Sequence, residues 1–273
     1  LCSAFYYIPI MNSTDDLKLG VTYLGNPNGI PLVITPGWAC DHHFLKPLAN
    51  LFPDFKIMLV DMPGYGKSKA LSKFSISTRQ SANLLLNTIP NNCYLMSWSL
   101  STLVAIRAIA NDKDHKISKF VSICGTPKFP CDPNWPGIDY KYVVKAQRLF
   151  DGQRNNRSIK LFFKMQTQSG LLTKEQGCEL MEAYDKMGEI DTEVLQNGIY
   201  KMSYSDHREA FNSIKIPCLH IFGQKDHLVK SILANKIINP PYHLCAVLQN
   251  SGHMPFYTEP DELKKIINLF IFN

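Results

Sequence analysis

A chain of 273 residues, 45% hydrophobic and 19% charged, has the size of one large α/β domain with an insertion, or of two small domains, and the composition of a soluble globular protein. No apolar run approaches the roughly 18 residues that a membrane span needs. The net charge of +6 is moderate, so an acidic partner is favoured over a basic one, and no nucleic-acid module is recognisable.

Residues 1–10 are apolar but lack a basic segment and a small-residue cleavage site, so they read as a first strand and not as a signal peptide. Residues 4–10 and 18–24 read as a hairpin pair, with turn-forming residues at 12–16 between them. Pro31–Thr35 is a short apolar strand, residues 44–52 an amphipathic helix, and residues 55–61 the next strand. A helix over 77–89, a strand over 93–97, a helix over Ser101–Asn111 and a strand over 119–124 continue the alternation. This βαβ rhythm predicts a mostly parallel, doubly wound sheet of the α/β class.

The rhythm stops at Pro127. Residues 127–205 carry helical patterns and a loop near 130–137, but no buried-strand pattern. Strands resume at 217–222 and 242–248, and residues 259–272 close the chain as a helix. The expected organisation is a core of residues 1–126 and 206–273, with 127–205 as a helical lid over the C-terminal edge of the sheet, where open α/β sheets bind ligands.

Eight cysteines are scattered along the chain without a Cys-x-x-Cys pair. Cys93, Cys124, Cys218 and Cys245 fall in expected core strands. Free thiols in a reducing cytosol are expected, and neither a disulfide framework nor a metal ion nor any cofactor. The run from Asp61 to Ser68 superficially suggests a phosphate loop. It lacks the glycine that the P-loop needs five residues before Gly66, where Asp61 stands, and it reads as a structural turn. Residues 25–29 read as a hairpin or loop, with no dinucleotide fingerprint.

The chemistry concentrates in Ser97-Trp98-Ser99-Leu100-Ser101. A strand enters this run and a helix leaves it, with small residues two places either side of Ser99. A sharp strand-to-helix turn lifts such a serine clear of the sheet and leaves no room for bulk at its flanks. Asp226 follows the strand ending at Phe222, and His253 follows the last strand in Ser251-Gly-His-Met-Pro255. Each lies on a loop after a strand, so His253 can take the Ser99 proton while Asp226 orients the imidazole. His227 adjoins Asp226, His220 lies inside a strand and reads as core, and Asp206-His207 reads as a helix start. The backbone N–H of Leu100 and that of Trp38, in the loop after Thr35, are the expected oxyanion donors. Trp38 and Trp98 are expected to wall the acyl pocket.

These segments resemble the α/β-hydrolase superfamily over nearly the whole chain. Pro36-Gly-Trp38, Asp61 to Ser68, Ser97-Trp-Ser-Leu100, Asn134-Trp-Pro-Gly-Ile138 and Phe163-Lys-Met-Gln-Thr167 resemble the pimeloyl-[acyl-carrier protein] methyl ester esterases of biotin synthesis. That resemblance implies a cytoplasmic serine esterase, a monomer, that hydrolyses the methyl ester on a pimeloyl chain carried by acyl-carrier protein. A general short-chain carboxylesterase, a related lyase of menaquinone synthesis and a catalytically inert binding module are the alternatives. The family's His-Gly-Trp-Gly is Pro36-Gly37-Trp38-Ala39 here, and serines 97 and 101 replace elbow glycines. Arg154, Arg157, Lys160 and Lys164 recur at helical spacing as a basic stripe, with Ile159, Phe162 and Phe163 facing elsewhere. The resemblance implies that basic lid residues, Arg157 above all, contact the acidic carrier protein, with Phe162 on the substrate side.

Overall fold

The computed structural model describes residues 14, 16–150, 155–167, 171–239 and 241–273. Its strands are β1 (Val21–Gly25), β2 (Pro31–Thr35), β3 (Lys56–Val60), β4 (Cys93–Trp98), β5 (Ile117–Ile123), β6 (Cys218–Gly223) and β7 (His243–Leu248). They form one sheet in the order β1-β3-β2-β4-β5-β6-β7. Every neighbouring pair is parallel except β1 with β3. The inner strands read as unbroken apolar runs because helices cover both faces; Leu32, Val33 and Ile34 of β2 are fully buried.

The chain winds from β2 outward to β3, then returns across β2 to β4 and continues to β7. The order therefore reverses between β2 and β4. Loops leaving the carboxyl ends of these two strands diverge and open a crevice. Gly37 and Trp38 follow β2 there, and Ser99 follows β4.

The helices are α1 (Lys46–Ala49), α2 (Thr78–Thr88), α3 (Ser101–Asn111), α4 (Tyr140–Leu149), α5 (Asn155–Thr167), α6 (Lys174–Met187), α7 (Thr192–Tyr204), α8 (Arg208–Asn212), α9 (Ala234–Ile237), α10 (Pro255–Thr258) and α11 (Pro260–Phe272). A 3₁₀ turn, His42–Leu45, runs into α1, so the expected helix over 44–52 is two short pieces. Ser77 caps α2 by accepting from the Gln80 N–H at 3.2 Å. Asp206-His207 does stand at a helix start: His207 is the residue before α8. Among the described residues no helix is long and apolar enough to cross a membrane.

Three expectations need correction or qualification. Residues 18–24 do not take a described partner at 4–10, which lie outside the described residues; β1 pairs antiparallel with β3, from Val21 with Val60 to Gly25 with Lys56. The polar turn at 12–16 is a local signal and cannot report a non-local pairing. Residues 25–29 consequently join two strands that are not neighbours, because β3 lies between β1 and β2. Cys245 is half-buried and not core, because β7 is the last strand of the sheet and has one open edge. The seven described cysteines are all free.

Helices α4 to α7 lie between β5 and β6 in sequence. The segment leaves and rejoins the sheet at one place: the His207 N–H donates to the Pro127 carbonyl at 2.9 Å. Lys128, Asp132, Asp206 and Arg208 form an ion cluster there, with Arg208 bridging to Asp206 at 2.6 Å and Asp132 at 3.0 Å. Arg208 holds the Asp206 carboxyl down to about 2. The same guanidinium lies over the Trp135 ring, whose indole N–H donates to the Lys128 carbonyl at 2.8 Å. The Trp-Pro-Gly-Ile run is thus the clasp at the base of the insertion.

Asp61, fully buried at the end of β3, ties the neighbouring loops together. Its carboxylate accepts from the His42 N–H at 2.7 Å, the Lys67 N–H at 2.8 Å and His42 Nδ1 at 2.9 Å. Its carbonyl accepts from Ser68 Oγ at 2.7 Å, and Ser68 Oγ accepts from the Gly20 N–H at 2.8 Å. Gly66, at φ +43°, lies so close that a Cβ would strike the Asp61 carboxylate. The run that mimics a phosphate loop is therefore a closed hydrogen-bonded turn.

Removing the Asp61 carboxylate strands buried donors, each costing about 1–3 kcal/mol. Asp61→Ala should lower unfolding free energy by about 3 kcal/mol in a urea titration, whereas Asp54→Asn, on the exposed surface, should change it by less than about 0.5 kcal/mol. Hydrogen bonding to Asp61 raises the His42 imidazole above its ordinary value. The stability from that pair is complete below the ordinary histidine range and is lost as pH rises through the raised folded value. The cost of Asp61→Asn should therefore be larger at about pH 5.5 than at about pH 8; an equal cost at both would deny the pair a role in stability.

Candidate active site

Ser99 joins β4 to α3 with φ +59°, in the left-handed region that non-glycine residues rarely adopt. Two backbone bonds fix it there: its N–H donates to the Ile123 carbonyl at 2.9 Å, and its carbonyl accepts from the Thr102 N–H at 3.1 Å. Gly37 packs so closely that a Cβ would lie 3.2 Å from that of Ser99.

The serines that stand for elbow glycines are accommodated by hydrogen bonding. Ser97 Oγ lies 2.9 Å from Thr102 Oγ1, which lies 3.2 Å from Ser122 Oγ. Ser101 Oγ lies 2.9 Å from Thr35 Oγ1 and 3.1 Å from the Trp98 carbonyl. All five hydroxyl residues are buried, and all have partners, as buried polar groups require. The added Cβ atoms thus come with hydroxyls that bind β2, β4, β5 and α3 to one another.

His253 Nε2 lies 2.8 Å from Ser99 Oγ, and Nδ1 lies 2.7 Å from Asp226 Oδ2. A carboxylate only accepts, so Nδ1 is the protonated nitrogen and Nε2 accepts from the serine hydroxyl. The other Asp226 oxygen accepts from the Leu228 and Val229 N–H groups at 2.8 and 3.1 Å. Asp226 is buried while its neighbour His227 points to solvent. His220 is buried in β6 against His243, Nε2 to Nδ1 at 3.1 Å, and burial pushes its imidazole down to about 3.

The histidine loop is held from several sides. The Trp98 indole N–H donates to the His253 carbonyl at 2.8 Å, and Phe256 packs edge-on against that indole at 5.2 Å. Glu259 accepts from Ser251 Oγ at 2.7 Å and the Asn250 N–H at 2.8 Å. Gly223 has no room for a side chain beside the Ser251 and Gly252 carbonyls. Cys124 donates a weak bond to the Gly252 carbonyl at 3.6 Å, and burial keeps its thiol well above the usual range.

A narrow cavity of about 40 Å³ lies over Ser99. Trp38, Trp98 and Phe162 line it, as expected from the sequence. Phe163, Met202 and Leu228 also line it; nothing in their spacing distinguishes pocket from core. Among the described residues neither the Trp38 nor the Leu100 backbone N–H donates to another backbone carbonyl. Ala39, where the family pattern has glycine, takes φ +58°. A wider groove of about 430 Å³ between α4 and α7, lined by Phe150, Tyr200 and Tyr204, lacks the serine, histidine and aspartate.

Arg157, Lys160 and Lys164 are exposed on α5, with Ile159 and Phe163 buried on the opposite side. Arg154 lies outside the described residues. Lys160 reaches Asp185 of α6 at 3.6 Å with both groups mostly exposed, so the pair neutralises little of the patch. Lys160, Lys164 and Lys174 border an open groove of about 420 Å³ between α5 and α6.

The sheet, the elbow and the hydrogen-bonded Ser-His-Asp chain define an α/β hydrolase. The α/β hydrolase fold family matches residues 30–260, and the chain belongs to it and is a hydrolase. It is 28% identical over 243 residues to the pimeloyl-[acyl-carrier protein] methyl ester esterase of Serratia marcescens, covering 88% of this chain and 93% of that protein. The enzyme of the same name from Vibrio cholerae serotype O1 is 28% identical over 237 residues, covering 85% and 91%. Among solved structures, an esterase from Exiguobacterium antarcticum superposes with a TM-score of 0.79 at 18% identity, over 93% of this chain and 96% of that one; that likeness concerns the fold alone.

Trp98→Phe keeps an aromatic ring but removes the indole N–H donor together with the pyrrole half of the side chain. It should leave the thermal midpoint within a few degrees of the parent and reduce kcat by about tenfold, because a small displacement of the base is costly. An unchanged kcat would mean that the indole N–H does not position His253.

Proposed function

We propose that this protein is a serine carboxylesterase that hydrolyses the methyl ester of a pimeloyl chain carried on acyl-carrier protein. The observation that carries the reading is the continuous chain from Ser99 Oγ through His253 to Asp226, at 2.8 and 2.7 Å. Ser99 Oγ attacks the ester carbonyl carbon as His253 Nε2 takes its proton. The carbonyl oxygen becomes an oxyanion, which the Trp38 and Leu100 N–H groups hold. Collapse breaks the bond to the methoxy oxygen, His253 returns the proton, and methanol leaves. Water, activated by the same imidazole, then releases the carboxylate and restores Ser99. Asp226 keeps the proton on Nδ1 and stabilises the imidazolium throughout.

The substrate assignment rests on the named relatives and on two features of this chain. The cavity over Ser99 is lined by aromatic and methionine side chains without lysine or arginine. That favours the end of an apolar acyl chain over the small carboxylated substrate of a lyase. The exposed cations Arg157, Lys160 and Lys164 favour an acidic carrier outside the pocket. In this reading residues 127–205 act as a lid, since α5 and α7 supply Phe162, Phe163 and Met202 to the cavity. A general short-chain carboxylesterase would share the pocket and make no use of the cations.

Ser99→Ala should fold normally and lose on the order of a million-fold in kcat on p-nitrophenyl esters. It should also lose labelling by a fluorophosphonate, which an inert binding module would never have shown. Asp226→Asn should cost about ten-thousand-fold. Reversing Arg157 and Lys160 to Glu should lower kcat/KM for pimeloyl-carrier-protein methyl ester at least several-fold, and more at low than at high salt. Turnover of a short p-nitrophenyl ester should barely change. Equal loss on both substrates would make the stripe structural, and no loss on either would leave the general carboxylesterase.

A further inference from the structure

Lys201 sits on α7 on the face that locks onto the oxyanion loop. One turn earlier, Gly198 lies against the Trp38 indole with no room for a Cβ, and the Trp38 indole N–H donates to the Leu195 carbonyl at 3.0 Å. Residues 195, 198, 201 and 202 therefore share one side of the helix. Met202 enters the cavity over Ser99, and Lys201 lines the adjoining one with Gly37, Trp38, Leu100, Ser101 and Tyr65. That second cavity is small, about 20 Å³, and it borders both expected oxyanion donors.

Among the described residues neither a hydrogen bond nor a carboxylate contributes to the titration of the Lys201 ammonium. Desolvation pulls it down to about 8. Among the described residues no neighbouring charge contributes to that shift. From the loop after β3 comes Tyr65, whose phenol burial pushes far above its ordinary value, so it stays neutral. A partly buried cation without a counter-charge loses hydration that no neighbour offsets. It becomes useful where negative charge develops beside it, in surroundings poor in water.

We propose that Lys201 is part of the oxyanion site, its ammonium stabilising the negative charge that grows on the ester oxygen as Ser99 attacks, an inference that rests on the serine esterase reading. The positive charge acts together with the Trp38 and Leu100 N–H groups and need not touch the substrate. It is present while the amine is protonated and vanishes as pH rises through about 8.

The test is kcat/KM for p-nitrophenyl butyrate from about pH 6 to pH 9.5, measured on the parent, Lys201→Met, Lys201→Arg and Ser99→Ala, with a thermal melt for each. The parent should lose activity above about pH 8. Lys201→Met should be about tenfold slower at neutral pH, which is the loss of ~1.4 kcal/mol of transition-state stabilisation, and should lack the alkaline fall. Lys201→Arg should recover most of the rate and move the fall beyond the range, because a guanidinium stays charged. A folded Lys201→Met that keeps the parent's rate overturns the proposal. So does one that is slower by the same factor at every pH with the fall intact, since that is a structural effect. If Lys201→Met does not fold, an arginine variant whose fall is still centred near pH 8 overturns it. Activity surviving in Ser99→Ala would instead sink the esterase reading itself, so the two failures are distinguishable.

Discussion

The turn at Ser99 is the constraint on which the site depends. A serine at φ +59° carries a steric cost of about 1–2 kcal/mol that glycine would not have. The conformation persists because the elbow is wedged between the Ile123 carbonyl, the first turn of α3 and the backbone of Gly37. Two sets of hydroxyls, Thr35 with Ser101 and Ser97 with Thr102 and Ser122, stitch the same region across three strands and a helix. Where related elbows use glycine for its lack of bulk, this one uses the smallest side chains that can also hydrogen bond. The contacts that hold Ser99 at positive φ also fix the direction of its side chain.

The other functional loops hang from anchors of comparable kind. Asp61 holds the segments that follow β2 and β3. Trp98, adjacent to Ser99, holds the loop that carries His253 through its indole N–H, so Ser99 and His253 are coupled through one residue's side chain. Glu259, at the start of α11, holds Ser251 and Asn250 on that same loop. Asp226 is fixed by two backbone donors from its own turn before it meets the imidazole. Catalytic geometry needs this kind of supporting shell, because an error of about 1 Å in the base costs orders of magnitude in rate.

The insertion divides its labour by face. Its base is closed by the Trp135, Arg208 and Asp206 clasp. Its inner side, from α5 and α7, contributes apolar side chains to the cavity and rests on the loop after β2 through Leu195, Gly198 and Trp38. Its outer side presents Arg157, Lys160 and Lys164. The side facing the cavity is apolar and the side facing solvent is cationic. The two properties can vary independently because they occupy opposite sides of one helix.

The sequence by itself determined the parts whose signals are local. The period of apolar residues marked β2 to β6 and the long helices, small residues marked the elbow, and position after a strand end marked Asp226 over His227 and His253 over His220. The order of Ser99, Asp226 and His253 along loops that follow strands was enough to bring them together, since parallel strands send those loops to one edge. Tertiary structure alone decided what depends on distant partners. The pairing of β1 with β3, the half-exposure of Cys245 on an edge strand and the clasp role of Trp135 follow from contacts far apart in sequence. The hydroxyl network could not be read from Ser97 and Ser101, because its other members come from β2, β5 and α3. Lys201 likewise looks like any helix lysine in the sequence. Only the packing of α7 against Trp38 sets it beside the loop after β2, because burial is a property of neighbours and not of residue type.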